Sequence, residues 1–466
     1  MKKTALILFG ATGDLSREKL FPALFQLWQR GKLEENLHIF AIGRREYSDA
    51  DFYAHISAGE RQYDAEFLAL VQYMHMDFLS SDAYSILAAH LEEYDNRAFY
   101  LAVPPDSYEV IVQHISSSGA YREHEYGWSR IVIEKPFGTN ESSAHELNNL
   151  VCSLFNEENT YRIDHYLGKE TVENILAFRF SNPLFESVWS ADHIDHIQIT
   201  AAEKHGLQGR TAFYSKVGAT KDIIQNHLMQ LVTLLTMDEP AELSFDGLAE
   251  AKMAILRSLH ADSAQSVFGQ YDADQVQDEL GNAETYVMTT FEIDSPRWSG
   301  VPIYVRTGKC LAERVTEVSV YFKQDQHALF NLKEDVGGGN VVTFRIQPNE
   351  GIFVRFAVKT PNKHREIRSA QMVYCYGGPG SERLVDAYEN LFEAVFQGHH
   401  SIALRSDIIE ESWRIVDELL KDRDSIPLET YASGSWGPEA ADAVLRAGGR
   451  RWQVEDQNVC NGVTII

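Results

Sequence analysis

The sequence predicts an α/β N-terminal region with a doubly wound parallel sheet, followed by a larger α+β region around a mainly antiparallel sheet. Two patterns carry that expectation. Thr4–Phe9 is a continuous apolar run, as expected of a strand buried on both faces. Leu37–Ile42, Ala98–Val103 and Arg130–Ile133 read as further parallel strands, separated by helical stripes such as Leu20, Leu24, Leu27 and Trp28. This alternation assigns residues 1–165 to a dinucleotide-binding domain. Beyond about residue 190 the pattern changes to β-rich segments: His196–Thr200, Thr285–Phe291, Thr316–Phe322, Asn340–Ile346, Ile352–Val358 and Gln371–Tyr376. Helical patterns intervene at Asp222–Leu235, Leu384–Phe396 and Ile408–Leu420, so residues 166–466 read as an α+β domain. The polar, acidic stretch Asp272–Asn282 reads as a loop.

Composition narrows the function classes. A chain of 466 residues with 44% hydrophobic content can bury large cores. No apolar run approaches a membrane span, and no signal peptide is expected before the first strand. The four cysteines, Cys152, Cys310, Cys375 and Cys460, lack metal-ligand spacing and read as reduced thiols of a cytoplasmic protein. A formal charge of −26 argues against nucleic acid or an anionic membrane as partner. It also demands that any anionic ligand meet a local concentration of basic residues.

Such concentrations occur at two places. Gly10-Ala11-Thr12-Gly13-Asp14-Leu15 follows the first strand and opens a helix, where glycines let backbone N–H groups approach a pyrophosphate. This is the Rossmann arrangement. At the end of the second strand an NAD enzyme places an acid for the ribose diol, whereas this chain has Gly43-Arg44-Arg45-Glu46. Paired guanidinium groups favour a 2′-phosphate and hence NADP; they permit it without demanding it, so NAD use stays open. Lys19, one turn into the first helix, adds charge near the same phosphates. Ala102-Val103-Pro104-Pro105 ends a strand without polar side chains and suits a nicotinamide ring. Lys135 ends another strand before Pro136, and a cis bond there would fix the lysine toward the ligand crevice.

The second concentration is Arg162–Glu170. His165 and Lys169 are four apart, which on a helix would place both on one face as a cationic pincer for a phosphate. Farther along, Glu203 ends a strand, and Asp222 and His227 open an apolar helix. Five residues correspond to about 140° round an α-helix, so one side chain can hold substrate while the other acts on it. A histidine titrates near neutrality and can accept a hydroxyl proton, given a carboxylate to fix its tautomer; Asp164 is the candidate. Lys309, closing the strand Val301–Gly308, and Arg314 can reach a sugar phosphate or hydroxyls, although each read singly is surface charge.

These segments together resemble the glucose-6-phosphate dehydrogenases. The matching motifs are Gly10–Leu15 (GATGDL), Glu134–Gly138 (EKPFG), Arg162–Glu170 (RIDHYLGKE), Asp222–Gln230 (DIIQNHLMQ) and Val301–Lys309 (VPIYVRTGK), with further similarity at Arg345–Gly351 and Gly434–Pro438. The resemblance spans nearly the entire chain. It implies oxidation of glucose 6-phosphate to 6-phosphogluconolactone by hydride transfer from C1 to NADP, the first step of the oxidative pentose phosphate pathway, with no metal. It further implies His227 as general base oriented by Asp164, with His165, Tyr166 and Lys169 on the substrate phosphate. Lys135, Glu203, Asp222, Lys309 and Arg314 would bind sugar hydroxyls or phosphate. Gly10, Thr12, Gly13, Asp14, Leu15, Arg44, Arg45, Pro104 and Lys135 would line the cofactor site, and the large sheet would form a homodimer, or a dimer of dimers. One departure bears on the sugar: Thr211-Ala212-Phe213-Tyr214-Ser215 stands where the family has Gly-Gly-Tyr-Tyr/Phe-Asp, so a family acid is Ser215. The alternatives are an NAD(P)-dependent dehydrogenase of a related hexose phosphate or an unphosphorylated sugar, and a catalytically silent NADP-binding partner.

Overall fold

The computed structural model describes residues 2–34, 36–58, 61–121, 127–273, 279–324, 331–332, 339–377, 384–400, 402–455 and 460. They form two compact units. The first comprises Met1–Lys169 with the later segments Glu242–Ala249 and Val385–Glu410; the second comprises Glu170–Ala241, Glu250–Leu384 and Glu411–Ile466.

In the first unit, β1 (Thr4–Phe9), β2 (Leu37–Gly43), β3 (Val71–His75), β4 (Asn96–Leu101), β5 (Ser129–Glu134) and β6 (Thr160–Ile163) lie parallel. The order is β6-β5-β4-β1-β2-β3, so direction reverses between β1 and β4, the point where open α/β sheets bind ligands. Every residue of β1 is buried, as its unbroken apolar run requires. Helices Phe21–Gln29 and Tyr108–Ser118 bury one face each, through Phe21, Leu24 and Leu27 and through Ile111, Val112 and Ile115.

The second unit is built on a mixed, mainly antiparallel sheet. Its strands are β7 (Ile194–Ala202), β8 (Leu259–Tyr271), β9 (Tyr286–Ile293), β10 (Ile303–Gly308), β11 (Val315–Phe322), β12 (Asn331–Leu332), β13 (Val341–Gln347), β14 (Gly351–Lys359) and β15 (Glu366–Cys375), with β17 (Leu428–Tyr431) from near the C-terminus. The short strand β16 (Ala403–Leu404) instead returns to pair antiparallel with β6 of the first unit. The large sheet runs β12-β15-β14-β13-β11-β7-β10-β9-β8-β17. Inside it runs the parallel pair β7 and β10, in which Ala202 lies opposite Gly308. β8 forms where the sequence carries no strand pattern: its first half, Leu-His-Ala-Asp-Ser-Ala-Gln-Ser, lacks the β-branched and aromatic residues that mark strands. Of the stretch expected as a loop, residues 274–278 lie outside the described residues.

The C-terminal segment crosses this sheet as a strap. Gln198 on β7 donates to the Arg451 carbonyl at 2.8 Å, and Arg345 on β13 donates to the Glu455 carbonyl at 2.6 Å. Arg345 is itself paired with the buried Glu317 of β11 at 2.8 Å. Cys375 and Cys460 then form a disulfide, which corrects the expectation of four thiols; Cys152 and Cys310 are free. The sequence signal was absent because 85 residues separate the pair. Among the described residues no helix is long and apolar enough to cross a membrane.

Candidate active site

At the nucleotide end, the turn after β1 is locked by hydrogen bonds from the Gly10 and Ala11 N–H groups to the Ile42 carbonyl, both 2.9 Å, and from Gly13 N–H to the Gly10 carbonyl at 2.9 Å. Gly10 has φ +82°, and a Cβ there would lie 2.1 Å from the Ala102 carbonyl oxygen, so only glycine fits. The turn from β1 is thus pressed against the end of β4, where Ala102, Val103 and the exposed Pro104 follow. Thr12 accepts at its carbonyl from a His55 ring nitrogen at 3.1 Å. The chain then winds through Ser16–Leu20 in wide π-type turns before the α-helix. Asp14 and Arg17 form an exposed pair at 2.9 Å, and Lys19 lies 3.6 Å from Asp386. Arg44 and Arg45 are both exposed, with the Arg44 guanidinium 6.0 Å from the Phe78 ring centre. The Tyr73 hydroxyl holds the Arg45 carbonyl at 2.5 Å. A tight glycine turn at the strand reversal and two solvent-facing guanidinium groups after β2 fit a dinucleotide carrying a 2′-phosphate.

Lys135 follows β5 through a cis bond to Pro136. Beneath it, Glu134 is buried and accepts from the Tyr100 hydroxyl at 2.6 Å. Burial pushes the Glu134 carboxyl up to about 7, against the downward pull of the Tyr100 hydrogen bond.

The Arg162–Glu170 segment differs from its expected geometry. It is the end of β6 followed by a turn, and the helix begins only at Glu170. Asp164 is buried and caps this turn, accepting from the Tyr166 N–H at 2.9 Å. The helical pincer is therefore corrected: His165 and Lys169 are gathered by a turn, on Tyr166. The His165 ring centre lies 5.2 Å from that of Tyr166, and the Lys169 ammonium lies 5.3 Å from the same ring. His165 also stacks on Tyr388 at 6.2 Å. Packing prevails here over helix-compatible spacing: a Cβ on Gly168 would meet the Ala387 carbonyl oxygen at 2.8 Å.

In the second unit, Glu203 follows β7 and Lys309 follows the adjacent β10, so strand pairing brings them together. The Lys309 ammonium is 2.6 Å from Glu203 and 3.9 Å from Asp222, and 5.4 Å from the Tyr214 ring centre. Lys309 is only 3% exposed, which corrects its reading as surface charge; Arg314 is exposed. Asp222 and the buried His227 lie on Thr220–Leu228, which is wound as a π-helix. In that i→i+5 winding, residues five apart stack nearly one above the other, so the expected 140° separation does not apply. Ser215, the departure from the family pattern, donates to the Ala212 carbonyl at 3.1 Å within the preceding helix.

A dinucleotide turn at the strand reversal of one unit, and a buried ammonium with two carboxylates and a histidine helix in the other, define a nicotinamide-dependent dehydrogenase. Residues 7–174 match the glucose-6-phosphate dehydrogenase NAD binding domain and residues 176–453 its C-terminal domain. The chain belongs to the glucose-6-phosphate dehydrogenase family. It is 40% identical over 484 residues to glucose-6-phosphate 1-dehydrogenase 2 of Mycobacterium tuberculosis, covering 96% of this chain and 94% of that protein. It is 37% identical to glucose-6-phosphate 1-dehydrogenase of Borreliella burgdorferi, covering 94% and 96%. A solved glucose-6-phosphate dehydrogenase in complex with glucose 6-phosphate superposes with TM-score 0.89 at 30% identity, over 97% of this chain and 99% of that one.

Proposed function

We propose that this chain oxidises glucose 6-phosphate to 6-phosphogluconolactone with NADP; its relatives are named glucose-6-phosphate 1-dehydrogenases. The observation that carries the reading is Lys309, an almost fully buried cation held by Glu203 and Asp222 at the opening of the helix bearing His227. A buried ammonium with carboxylate neighbours is a fixed set of donors and acceptors, suited to the hydroxyls of a sugar. His227 takes the proton from the C1 hydroxyl, and Asp164 fixes its tautomer. His165, Tyr166 and Lys169 bind the phosphate ester. Lys135, Glu203, Asp222, Lys309 and Arg314 orient the sugar so that C1 presents its hydrogen. Gly10, Thr12, Gly13, Asp14 and Leu15 hold the pyrophosphate, Arg44 and Arg45 the 2′-phosphate, and Pro104 with Lys135 borders the nicotinamide. NADP, when bound, supplies the hydride acceptor.

Two further parts belong to the same proposal. The protein is a homodimer, alone or in pairs, joined through the large sheet; Met372 and Tyr374, 56% and 54% exposed on β15, support such a surface. Its compartment is the cytoplasm, with Cys152 and Cys310 as its free thiols. The deciding experiment follows absorbance of the reduced cofactor while NADP and NAD are crossed with glucose, glucose 6-phosphate and glucosamine 6-phosphate. Turnover is expected with glucose 6-phosphate and NADP; equal turnover of unphosphorylated glucose would overturn the reading.

A further inference from the structure

Gly218 kinks the helix Thr211–Ala219 just before the π-wound segment, with φ 67° and ψ 174°. Restarting a helix there leaves its first N–H groups without partners from its own backbone. The partner comes from 64 residues away. Glu284, 6% exposed, accepts through one carboxylate oxygen from the Thr220 N–H at 2.9 Å and from the Thr220 hydroxyl at 2.6 Å. Its backbone carbonyl accepts from the Ala219 N–H at 2.9 Å. A Cβ on Gly218 would lie 2.6 Å from that same carboxylate oxygen, so glycine is what lets the acid sit over the helix start. An anion at a helix N-terminus is also favoured by the helix dipole.

The neighbouring residue fixes the other side of the sugar cluster. The Lys309 N–H donates to the Thr285 carbonyl at 2.9 Å, and the Tyr431 hydroxyl donates to the Lys309 carbonyl at 2.7 Å. Tyr431 and Thr285 hydroxyls lie 2.9 Å apart. The dipeptide Glu284-Thr285 therefore holds the backbone of Lys309 and, two residues before Asp222, the start of the helix that carries Asp222 and His227. We propose that Glu284 is a positioning residue for sugar oxidation: its carboxylate sets the entry of this helix and so the register of Asp222 and His227 against Lys309. The proposal rests on reading Asp222, His227 and Lys309 as the sugar site.

The test measures kcat and KM for both substrates in Glu284→Ala, Glu284→Gln, Asp222→Ala and the double variant Glu284→Ala/Asp222→Ala. Losing a charge-assisted acceptor is expected to lower kcat/KM for glucose 6-phosphate about 10-fold or more, with KM for NADP within about twofold. Gln retains an oxygen facing both Thr220 donors and is expected to recover most of the loss. Because Glu284 acts through the Asp222 helix, its removal is expected to cost much less in the Asp222→Ala background. An equal cost in both backgrounds overturns the proposal, as does wild-type kcat/KM in Glu284→Ala while Asp222→Ala is impaired. Wild-type kinetics of Asp222→Ala itself would overturn the site reading, and the proposal with it. Should the alanine variant not fold, Glu284→Asp decides: one methylene short of Thr220, it is expected to be impaired where Gln is not, and wild-type kinetics would refute the role.

Discussion

Arg44 and Lys309 occupy the same kind of place in different units. Each is the cation directly after a strand that ends in glycine, Gly43 on β2 and Gly308 on β10. Each glycine has a tyrosine where a Cβ would be, the Tyr73 hydroxyl at 2.7 Å and the Tyr286 ring at 2.8 Å. Yet Arg44 is exposed, whereas Lys309 is 3% exposed and bracketed by two carboxylates. A cation for a 2′-phosphate works from the surface, where the phosphate brings its own charge to a flexible guanidinium. A cation for neutral hydroxyls must be immobile and partly neutralised before the ligand arrives, or its burial would be too costly. The first can be written in a short stretch of sequence. The second needs β7, β10 and a distant helix.

The sharpest break of this comparison is at His227, which belongs to the buried end. General-base assistance contributes about 10²–10⁴ in rate, so His227→Asn is expected to lower kcat on that scale with little change in KM for either substrate. Stopped-flow or steady-state turnover near the wild-type value would remove His227 from the chemistry.

The two cations themselves are expected to separate the substrates. Lys309→Met removes an ammonium that makes charge-assisted contacts of about 1.5–3 kcal/mol each, so kcat/KM for glucose 6-phosphate should fall roughly 10²-fold while KM for NADP holds. Arg44→Ala should do the reverse and by less: KM for NADP up about tenfold, NAD use little altered, and the sugar untouched, because an exposed contact is screened by solvent. If both variants weaken both substrates alike, the division of labour between the two ends is wrong.

That division also explains what could be read from the chain alone. The dinucleotide end is local: one apolar strand, one glycine turn and two arginines lie within residues 4–45, and β1 falls on the residues its apolar run marks. Around Lys309 the motifs named residues that the fold brings together, but not their geometry. Nothing near Lys309 tells that Glu203 and Asp222 enclose it, and no periodicity distinguishes π winding in Thr220–Leu228 from an α-helix. The Asp164–Lys169 turn was masked by helix-compatible spacing. Glu284 carries no motif at all, since its partner Thr220 is 64 residues away in the chain. Side chains whose role is to hold other side chains are legible only once the sheet has assembled.

The smallest expected effect on catalysis concerns a buried acid of the exposed end. Glu134 has its carboxyl raised by burial to about 7, above its ordinary value of 4.5. Between those values the folded protein holds a proton that the unfolded chain has released. Stability contributed by this site is therefore present at pH 4.5 and lost as pH rises through 7, the sign opposite to that of a salt-bridged carboxylate. Over the full window the loss is on the order of 3 kcal/mol at one group. Glu134→Gln is neutral at every pH and keeps an oxygen for the Tyr100 hydroxyl, so it does not incur that loss. Melting curves of variant and wild type should nearly coincide at pH 5, with the variant a few degrees more stable at pH 8. A difference that is the same at both pH values would mean that Glu134 stays ionised in the fold, and that the Tyr100 hydrogen bond outweighs its burial.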